Sequence, residues 1–412
     1  MPPLSGPRAV QVTRTLAALG ERGWRSRVIC FGPRSDRYQQ DYRVSLDEDS
    51  GGTATLVPVS SPEEWLLFRA LWRICPPLKH RPDEKRVWMP GALAAARRTL
   101  AEEPADVLVS FAQPWTDHLI GLQLHRDTGL PWVAHFSDPW VDSPYLPASG
   151  WAHRVAQRFE QQVVAEATKL VFVNRQTLTR TMAKYPATWA ARAHVVPQGF
   201  VRAALTSQRS ASDPEGPQGS ARPLRLVYTG RFYDGIRTPE TLLEALARLD
   251  RESPLAGRLD MTFIGSGMAA YAQRAANLGL SEIVRFPGRL SPQQARDQAD
   301  FADVLVAIDA PSDGPSLFLP SKLIDYLPAR KPILGITPSE GPSADLLRQL
   351  SYPIVDPRDV TGLLAAVSSL LERHRDGTLA MSPQHDEVAR AYDIGETTRE
   401  FDRILTEAMQ QE

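Results

Sequence analysis

Apolar segments with the length of β-strands alternate with helical patterns along most of the chain. This alternation limits the possible folds more than any other feature of the sequence. Residues 27–31, 132–136, 224–229 and 303–308 are among these segments, and turn-forming residues bound each of them. Strands that alternate with helices predict parallel sheets with helices on both faces. We therefore expect an α/β fold built from doubly wound, Rossmann-like domains.

A polar segment at residues 207–222 divides the chain of 412 residues into two halves. It is rich in Ser, Gly and Pro and has no large apolar residue, which is the composition of a linker. We predict an N-terminal domain over residues 1–206 and a C-terminal domain over residues 223–390. A last helix, within residues 391–412, has an apolar face that must pack on one of the two domains, and packing back on the N-terminal domain is one option.

Composition limits the class of protein and its partners. The formal net charge is −1, so no basic excess indicates a nucleic-acid partner. Of the two cysteines, Cys30 lies in an apolar segment and is expected to be buried, which predicts neither a disulfide framework nor a metal set. No apolar run reaches the roughly 18 residues of a membrane span. These features predict a cytoplasmic protein and leave open peripheral contact with the inner face of a membrane.

The N-terminal residues are unusual for a parallel α/β domain. Residues 1–8 have loop composition and lead directly into a helical pattern with Ala9, Val12 and Leu16 on one face. Such a domain normally enters its first helix from a strand. Either a first strand lies upstream of Met1, or the sheet has one strand fewer.

Two arginines follow the predicted strand at residues 224–229. Arg231 comes directly after Gly230, which allows close approach of the backbone, and Arg237 precedes a helix predicted to start with Thr238 as N-cap. Ligands of open α/β sheets bind at the carboxyl ends of strands, and two guanidinium groups there can neutralise a diphosphate. The alternative is a pair of solvated surface arginines.

A second polar set lies about ninety residues later. Pro320 and Ser321 predict a helix start, where free backbone N–H groups can bind phosphate oxygens. Lys322 lies in the first turn, and a bound anion would compensate for a cation at that end. Asp325 is on the same face and could accept hydrogen bonds from two ribose hydroxyls. The alternative is a local ion pair between Lys322 and Asp325.

Polar residues also end an apolar strand of the first half. His135 and Asp138 occur there, and His135 could donate to a substrate hydroxyl or to a developing charge. The alternatives are a buried structural histidine and a structural Asp–Pro turn. Gly6 belongs to an N-terminal loop that could approach a ligand.

Three weaker patterns have competing interpretations. Gly265 and Gly267 open a G-x-G-x-x-A sequence after a strand, but the acidic residue that should end the next strand in a dinucleotide site is missing. Asp47 and Asp49 have the D-x-D spacing of metal-dependent sugar transfer, but their polar context indicates a solvated turn, and we predict no metal site. Residues 64–75 are aromatic and apolar with basic residues after them, typical of a membrane-interface helix or of a core helix.

Together these segments resemble a family 4 glycosyltransferase of the GT-B fold over nearly the whole chain. The matching positions are Gly230, Arg231 and Arg237, which grip the donor diphosphate in that family, Gly265, Gly267 and Arg289, which line the donor nucleotide, and His135, the active-site histidine. The loop that contains Gly6 resembles the glycine-containing loop after the first strand of the family, which favours an upstream strand.

The sequence departs from the family at its pair of glutamates. Leu317 replaces the first, which usually contacts the sugar, and Asp325 replaces the second, which holds the ribose. A sub-branch with Pro-Ser-Lys-Leu before this helix is similar to the present chain, and there Lys322 takes a phosphate role.

The resemblance implies two Rossmann-like domains that face each other across a cleft, with a nucleotide-diphosphate sugar in the C-terminal domain and a glycan or lipid-linked acceptor in the N-terminal domain. It implies transfer with retention of configuration, without metal or cofactor, in surface polysaccharide or glycoconjugate synthesis. His135, Asp138, Arg231 and Lys322 are the predicted catalytic residues. Two alternatives are a non-catalytic GT-B scaffold or nucleotide-sensing subunit, which Leu317 favours, and a GT-B sugar-nucleotide epimerase.

Overall fold

The chain forms two compact units. The computed structural model describes residues 7–32, 53–61, 82–146, 149–202 and 222–410. The first unit contains residues up to Val201 together with the C-terminal segment from Tyr392, and the second unit contains the residues between Arg202 and Ala391. The final helix therefore belongs to the first unit.

Several predicted features lie outside the described residues. They are Gly6, the acidic turn at Asp47–Asp49, the segment 64–75 and nearly all of the predicted linker at 207–222.

Strands and helices alternate in both units. The strands are β1 (Ser26–Phe31), β2 (Ala54–Val59), β3 (Leu108–Ala112), β4 (Trp132–Phe136), β5 (Lys169–Phe172), β6 (Ala193–Val195), β7 (Leu224–Thr229), β8 (Leu259–Ile264), β9 (Val284–Gly288), β10 (Val304–Ile308), β11 (Ile333–Ile336) and β12 (Ile354–Val355). The α-helices are α1 (Pro7–Glu21), α2 (Met89–Glu102), α3 (Thr116–Thr128), α4 (Trp151–Glu166), α5 (Arg175–Met182), α6 (Glu240–Glu252), α7 (Ala269–Asn277), α8 (Pro292–Phe301), α9 (Ser321–Tyr326), α10 (Pro342–Gln349), α11 (Val360–Arg375), α12 (His385–Arg390) and α13 (Ile394–Met409).

The second unit contains one sheet with the strand order β12-β11-β10-β7-β8-β9. Every neighbouring pair is parallel. The chain proceeds outward from β7 to β9 and then returns to β10 on the other side of β7. The sheet is therefore doubly wound, as the alternating sequence pattern predicts.

The first unit contains parallel strands in two sheets among the described residues, β1-β2 and β3-β4-β5-β6. The apolar face of α13 packs with α1 in one core cluster that includes Val12, Leu16, Phe401 and Ile404. Cys30 is fully buried in the same cluster, which confirms its predicted burial. The C-terminal helix thus completes the core of the unit that begins with α1.

One predicted helix start is wrong by one residue. Helix α6 begins at Glu240, Pro239 occupies the N-cap position, and no side chain caps the helix. Tyr233 and Arg237 pair in an antiparallel bridge, so the backbone is still outside the helix when it reaches Thr238. Strand β2 and the short strands β6 and β12 were not predicted from the sequence.

None of the helices that the structure describes is long and apolar enough to cross a lipid bilayer.

Candidate functional site

The two basic sets of the second unit follow the two strands at which the sheet reverses its order. Strand β7 lies between β8 and β10, and the crevice outside the carboxyl ends of strands at such a point is the usual ligand site of an open α/β sheet. Gly230, Arg231 and Arg237 come after β7. The segment after β10 leads to α9, which begins at Ser321 and carries Lys322. The topology therefore places both sets at the same edge of the sheet.

Arg231 and Arg237 lie before and after Tyr233 in the sequence, and both guanidinium groups contact its aromatic ring. The Cζ atom of Arg231 is 5.3 Å from the ring centroid of Tyr233, and the Cζ atom of Arg237 is 5.2 Å from it. Arg237 Nη2 also donates a hydrogen bond of 2.9 Å to the carbonyl oxygen of Arg231. Since Tyr233 and Arg237 pair through their backbones, the hairpin holds two guanidinium groups close together before any ligand binds. This arrangement can neutralise a diphosphate.

Buried aromatic residues attach this hairpin to the sheet. Phe232 stacks on Tyr228 with ring centroids 4.7 Å apart, and it is 3% exposed. Tyr326, at the end of α9, accepts a 2.8 Å hydrogen bond from the backbone N–H of Thr229 and donates to the carbonyl oxygen of Val306. Helix α9 is therefore bonded to the end of β7 and to the middle of β10.

Glycines form the neighbouring part of the edge. Gly265, after β8, has φ +150°, and its backbone lies directly against the carbonyl oxygen of Gly230. Gly265 N–H donates to the carbonyl oxygen of Gly288, at the end of β9, which immediately precedes the exposed Arg289. Gly267 has φ +75° and approaches the carbonyl oxygen of Phe232. The loops after β7, β8 and β9 are thus packed side by side.

The predicted alternative for Lys322 and Asp325 is present in the structure. Lys322 Nζ lies 3.7 Å from Asp325 Oδ2, and the lysine side chain is half exposed. An exposed pair of this kind contributes about 0–1 kcal/mol to folding, so a ligand can separate it at little cost. Helix α9 has only six residues, so the side-chain cation rather than the helix dipole is its main attraction for an anion.

Asp309 is a buried carboxylate at this edge that the sequence interpretation missed. It follows β10 directly, and it accepts a 2.7 Å hydrogen bond from Thr337 Oγ1. Burial raises the pKa of Asp309, while the bond from Thr337 and the positive charge of Arg237 lower that pKa. A polar residue directly after a buried strand is the same signal that identified Arg231.

In the first unit, His135 is buried near the end of β4 and is held by Arg8. Arg8 Nη2 lies 3.0 Å from His135 Nδ1. A guanidinium can only donate, so Nδ1 accepts and the ring proton is on Nε2. Burial lowers the pKa of His135, and the positive charge of Arg8 lowers it further. His135 is therefore a neutral imidazole that can donate one hydrogen bond from Nε2.

Two carboxyl groups of the first unit, those of Asp138 and Asp117, have raised pKa values and interact electrostatically with Arg8. Burial raises the pKa of Asp138, which accepts a 3.0 Å hydrogen bond from Ser137 Oγ. Burial also raises the pKa of Asp117 to about 8, and the nearby charge of Asp83 adds to this increase, while Arg8 opposes it. The positive charge of Arg8 acts on both groups and lowers the pKa of each. Groups with displaced pKa values cluster at functional sites.

The structure therefore collects the predicted residues into two groups, one in each unit. The second unit contains Gly230, Arg231, Arg237, Gly265, Gly267, Arg289, Ser321, Lys322 and Asp325 at one sheet edge, and the first unit contains His135 and Asp138. Arg8, Asp117, Tyr233 and Asp309 were missed. Within the described residues, no group of three or more His, Cys, Asp or Glu side chains could hold a metal ion.

Two family models match the sequence. A glycosyl transferase 4-like domain matches residues 8–199, and a group 1 glycosyl transferase domain matches residues 223–373. No curated protein matches the sequence significantly.

The chain is similar to several solved structures over nearly its full length. Anabaena HepE, in complex with UDP and glucose, has a TM-score of 0.67 and 14% identity and covers 98% of this chain and 96% of its own. A glycosyltransferase from Rickettsia africae has a TM-score of 0.69 and 12% identity, with coverage of 98% and 96%. Sucrose-phosphate synthase from Thermosynechococcus elongatus has a TM-score of 0.68 and 14% identity, with coverage of 99% and 94%. At these identities the likeness establishes a common fold.

Proposed function

The chain belongs to the family 4-like glycosyltransferases of the GT-B fold, and from this premise we propose that it transfers a sugar from a nucleoside-diphosphate sugar to a glycan or lipid-linked acceptor, with retention of configuration. One observation carries the proposal. The arginine hairpin and the lysine-bearing helix α9 follow β7 and β10, the two strands that flank the reversal of strand order.

The hairpin and α9 supply fixed positive charge for the donor diphosphate. Arg231 and Arg237 are held 5.3 Å and 5.2 Å from the same ring, so their charges are concentrated before binding. Lys322 becomes available to the diphosphate when its 3.7 Å pair with Asp325 opens. The Asp325 carboxylate can then accept hydrogen bonds from the ribose hydroxyls. The two arginine charges are already in position, so they cost no reorganisation when the leaving diphosphate develops its negative charge.

The reaction breaks the bond between the anomeric carbon and the diphosphate oxygen. The acceptor hydroxyl forms its bond on the same face of the sugar, and its proton passes to the departing diphosphate. Arg231, Arg237 and Lys322 stabilise that diphosphate in this scheme, which needs no bound metal. In the first unit, neutral His135 donates from Nε2 to a hydroxyl of the sugar or acceptor, and Asp138 lies near it as an acceptor.

The first test is thermal unfolding with UDP, GDP, dTDP, CDP and ADP, each with and without magnesium. UDP leads the series because HepE is solved with UDP and with UDP-glucose. A ligand that binds only the folded state at a hundred times its Kd adds about 2.7 kcal/mol, a visible shift. One diphosphate that stabilises the protein equally without magnesium supports the proposal, and stabilisation that requires magnesium contradicts its metal-free part.

The second test uses an Asp325→Asn variant. If Asp325 accepts the ribose hydroxyls, the variant loses about tenfold or more in affinity for UDP, the range of a hydrogen bond to a charged group, and much less for 2′-deoxy-UDP. Asp297→Asn on α8 is the matched control, because Asp297 accepts a 2.7 Å hydrogen bond from Gln293 of the same helix and is not part of the proposed donor site. Equal losses for both nucleotides would contradict the assignment of Asp325.

A further inference from the structure

A small cavity in the first unit lies between α1, the ends of β3 and β4, and α13. It has a volume of about 20 Å³. That is enough for one water molecule, which needs about 10–15 Å³, and far too little for a sugar or a nucleotide. Its polar lining residues are Arg8, Gln11, Thr15, His135, Gln198, Thr397 and Thr398.

Two buried polar atoms of this lining have no hydrogen-bond partner among the described residues. They are Nε of Arg8 and Oγ1 of Thr398. Thr398, on α13, is only 2% exposed, so bulk water cannot satisfy its hydroxyl. Buried donors and acceptors are nearly always paired with protein or with ordered water. Arg8 Nε is a donor and the threonine hydroxyl can both donate and accept, so one water can bond to both.

The side chains of Gln11 and Thr397 in the lining already have partners. Gln11 Nε2 donates to Gln198 Oε1 over 2.5 Å, and Thr397 Oγ1 donates to the carbonyl oxygen of Ile394 over 3.2 Å. Their free lone pairs can accept from a water, which raises its number of partners towards the usual three. Among the described residues, the buried atoms of the lining that still lack a hydrogen-bond partner are nevertheless Arg8 Nε and Thr398 Oγ1.

We propose that one ordered water molecule occupies this cavity and bridges Arg8 Nε to Thr398 Oγ1, so that Thr398 is a positioning residue for Arg8 and His135. The bridge restrains the guanidinium, whose Nη2 bonds to His135 Nδ1 at 3.0 Å. Restraint of Arg8 keeps the imidazole proton on Nε2, the atom that faces a ligand in our scheme. The proposed water site depends only on the cavity and its two polar atoms that lack a partner in the described part of the chain. Its effect on turnover rests on the proposed function.

Three variants separate this role from simple packing. Thr398→Val keeps the shape and removes the hydroxyl, and Thr398→Ser restores it. Thr13→Val is the matched control, because Thr13 is also buried, at 4% exposure, and its hydroxyl also has no partner in the described part of the chain, but it does not line the cavity.

The first experiment is a high-resolution crystal structure of the wild-type protein and of Thr398→Val, combined with ¹⁵N NMR of the His135 ring. We expect an ordered water in the wild-type cavity and a single Nε2–H tautomer, and in Thr398→Val a lost or displaced water and a mixture of tautomers. Thr398→Ser and Thr13→Val should match the wild type. An empty wild-type cavity, or an unchanged tautomer in Thr398→Val, overturns the proposal even if the protein transfers no sugar.

The second experiment measures donor turnover. We expect kcat of Thr398→Val to fall about tenfold or more with an unchanged donor KM, since a misplaced catalytic group reduces rate rather than donor binding. Thr398→Ser should recover most of the rate. A fall of equal size in Thr13→Val would assign the effect to packing and overturn the positioning role.

Discussion

A Cβ atom added to Gly265 would stand 1.7 Å from the carbonyl oxygen of Gly230, so the loops after β8 and β7 meet backbone to backbone. The contact joins two loops of the proposed donor site, and φ at Gly265 is +150°, a value that side chains rarely allow. Close approach of this kind requires glycine for two independent reasons.

Gly265→Ala should therefore lower the free energy of unfolding by about 3 kcal/mol or more, because strain and a backbone clash add. Gly257→Ala isolates the strain, since Gly257 has φ +73° and no atom near its Cβ position, and should cost about 1 kcal/mol. Gly314→Ala, in open space without a positive φ, should change stability by less than about 0.5 kcal/mol. Urea unfolding measures all three, and an equal cost at Gly265 and Gly314 would contradict the contact.

Much of the fold follows from hydrophobic patterning. Strands β4, β5 and β10 are fully or almost fully buried, so apolar residues dominate their sequences and distinguish them from their surroundings. Strands β6 and β12 have only three and two residues, and pairing with a neighbouring strand rather than local sequence defines them. The pairing of α13 with α1 was open in the sequence for a similar reason, because an apolar face does not specify its partner.

The candidate site was predictable where a polar residue ends a strand. Arg231 and His135 were found by that rule, and Asp309 follows it as well but lacked a second matching motif. Arg8 could not be found, because its role depends on a 3.0 Å contact with His135, 127 positions away. Tyr233 was also missed, since an exposed tyrosine gains significance only when two guanidinium groups lie within about 5 Å of its ring.

Removal of either of two cations should impair transfer while the fold stays intact. Arg231→Ala and Lys322→Ala should each lower kcat/KM by at least about a hundredfold, because each removes fixed charge at the leaving diphosphate. Arg248→Ala is the control, since Arg248 is an exposed helix arginine paired with Glu244. Turnover of a nucleotide-sugar measures the effect, and circular dichroism checks the fold. Near-wild-type turnover in both variants would contradict the assignment of the donor site.

A buried glutamate should be essential for the stability of the first unit. Glu160 is 0% exposed and accepts hydrogen bonds from Val141 N–H at 2.9 Å and Tyr185 Oη at 2.7 Å, and it pairs with Lys184 Nζ at 2.6 Å. Glu160→Ala leaves Val141 N–H and Tyr185 Oη without their acceptor, while Lys184 keeps its pair with Asp142. Because each buried donor left unsatisfied costs about 1–3 kcal/mol, we expect a loss of about 3–5 kcal/mol in the free energy of unfolding.

The control is Glu166→Ala on the same helix. Glu166 forms an exposed pair with Arg126, and its loss should cost at most about 1 kcal/mol. Chemical denaturation compares the two variants. Equal costs would show that the network around Glu160 does not stabilise the segment that follows His135.

The raised pKa of Asp117 predicts a specific pH dependence of stability. Burial holds the pKa of this carboxyl at about 8 in the folded protein, whereas an unfolded aspartate has a pKa near 4. Between these two values the folded state binds more protons, so the contribution of Asp117 to the free energy of unfolding decreases as pH rises from about 4 to about 8. Asp117→Asn removes this decrease. The difference in the free energy of unfolding between Asp117→Asn and wild type should therefore shift in favour of the variant by about 1–3 kcal/mol from pH 4 to pH 8.5. That range is the usual cost of a poorly compensated buried polar group. Urea unfolding of both proteins at the two pH values measures the gain, and a difference between them that does not change with pH would contradict a raised pKa.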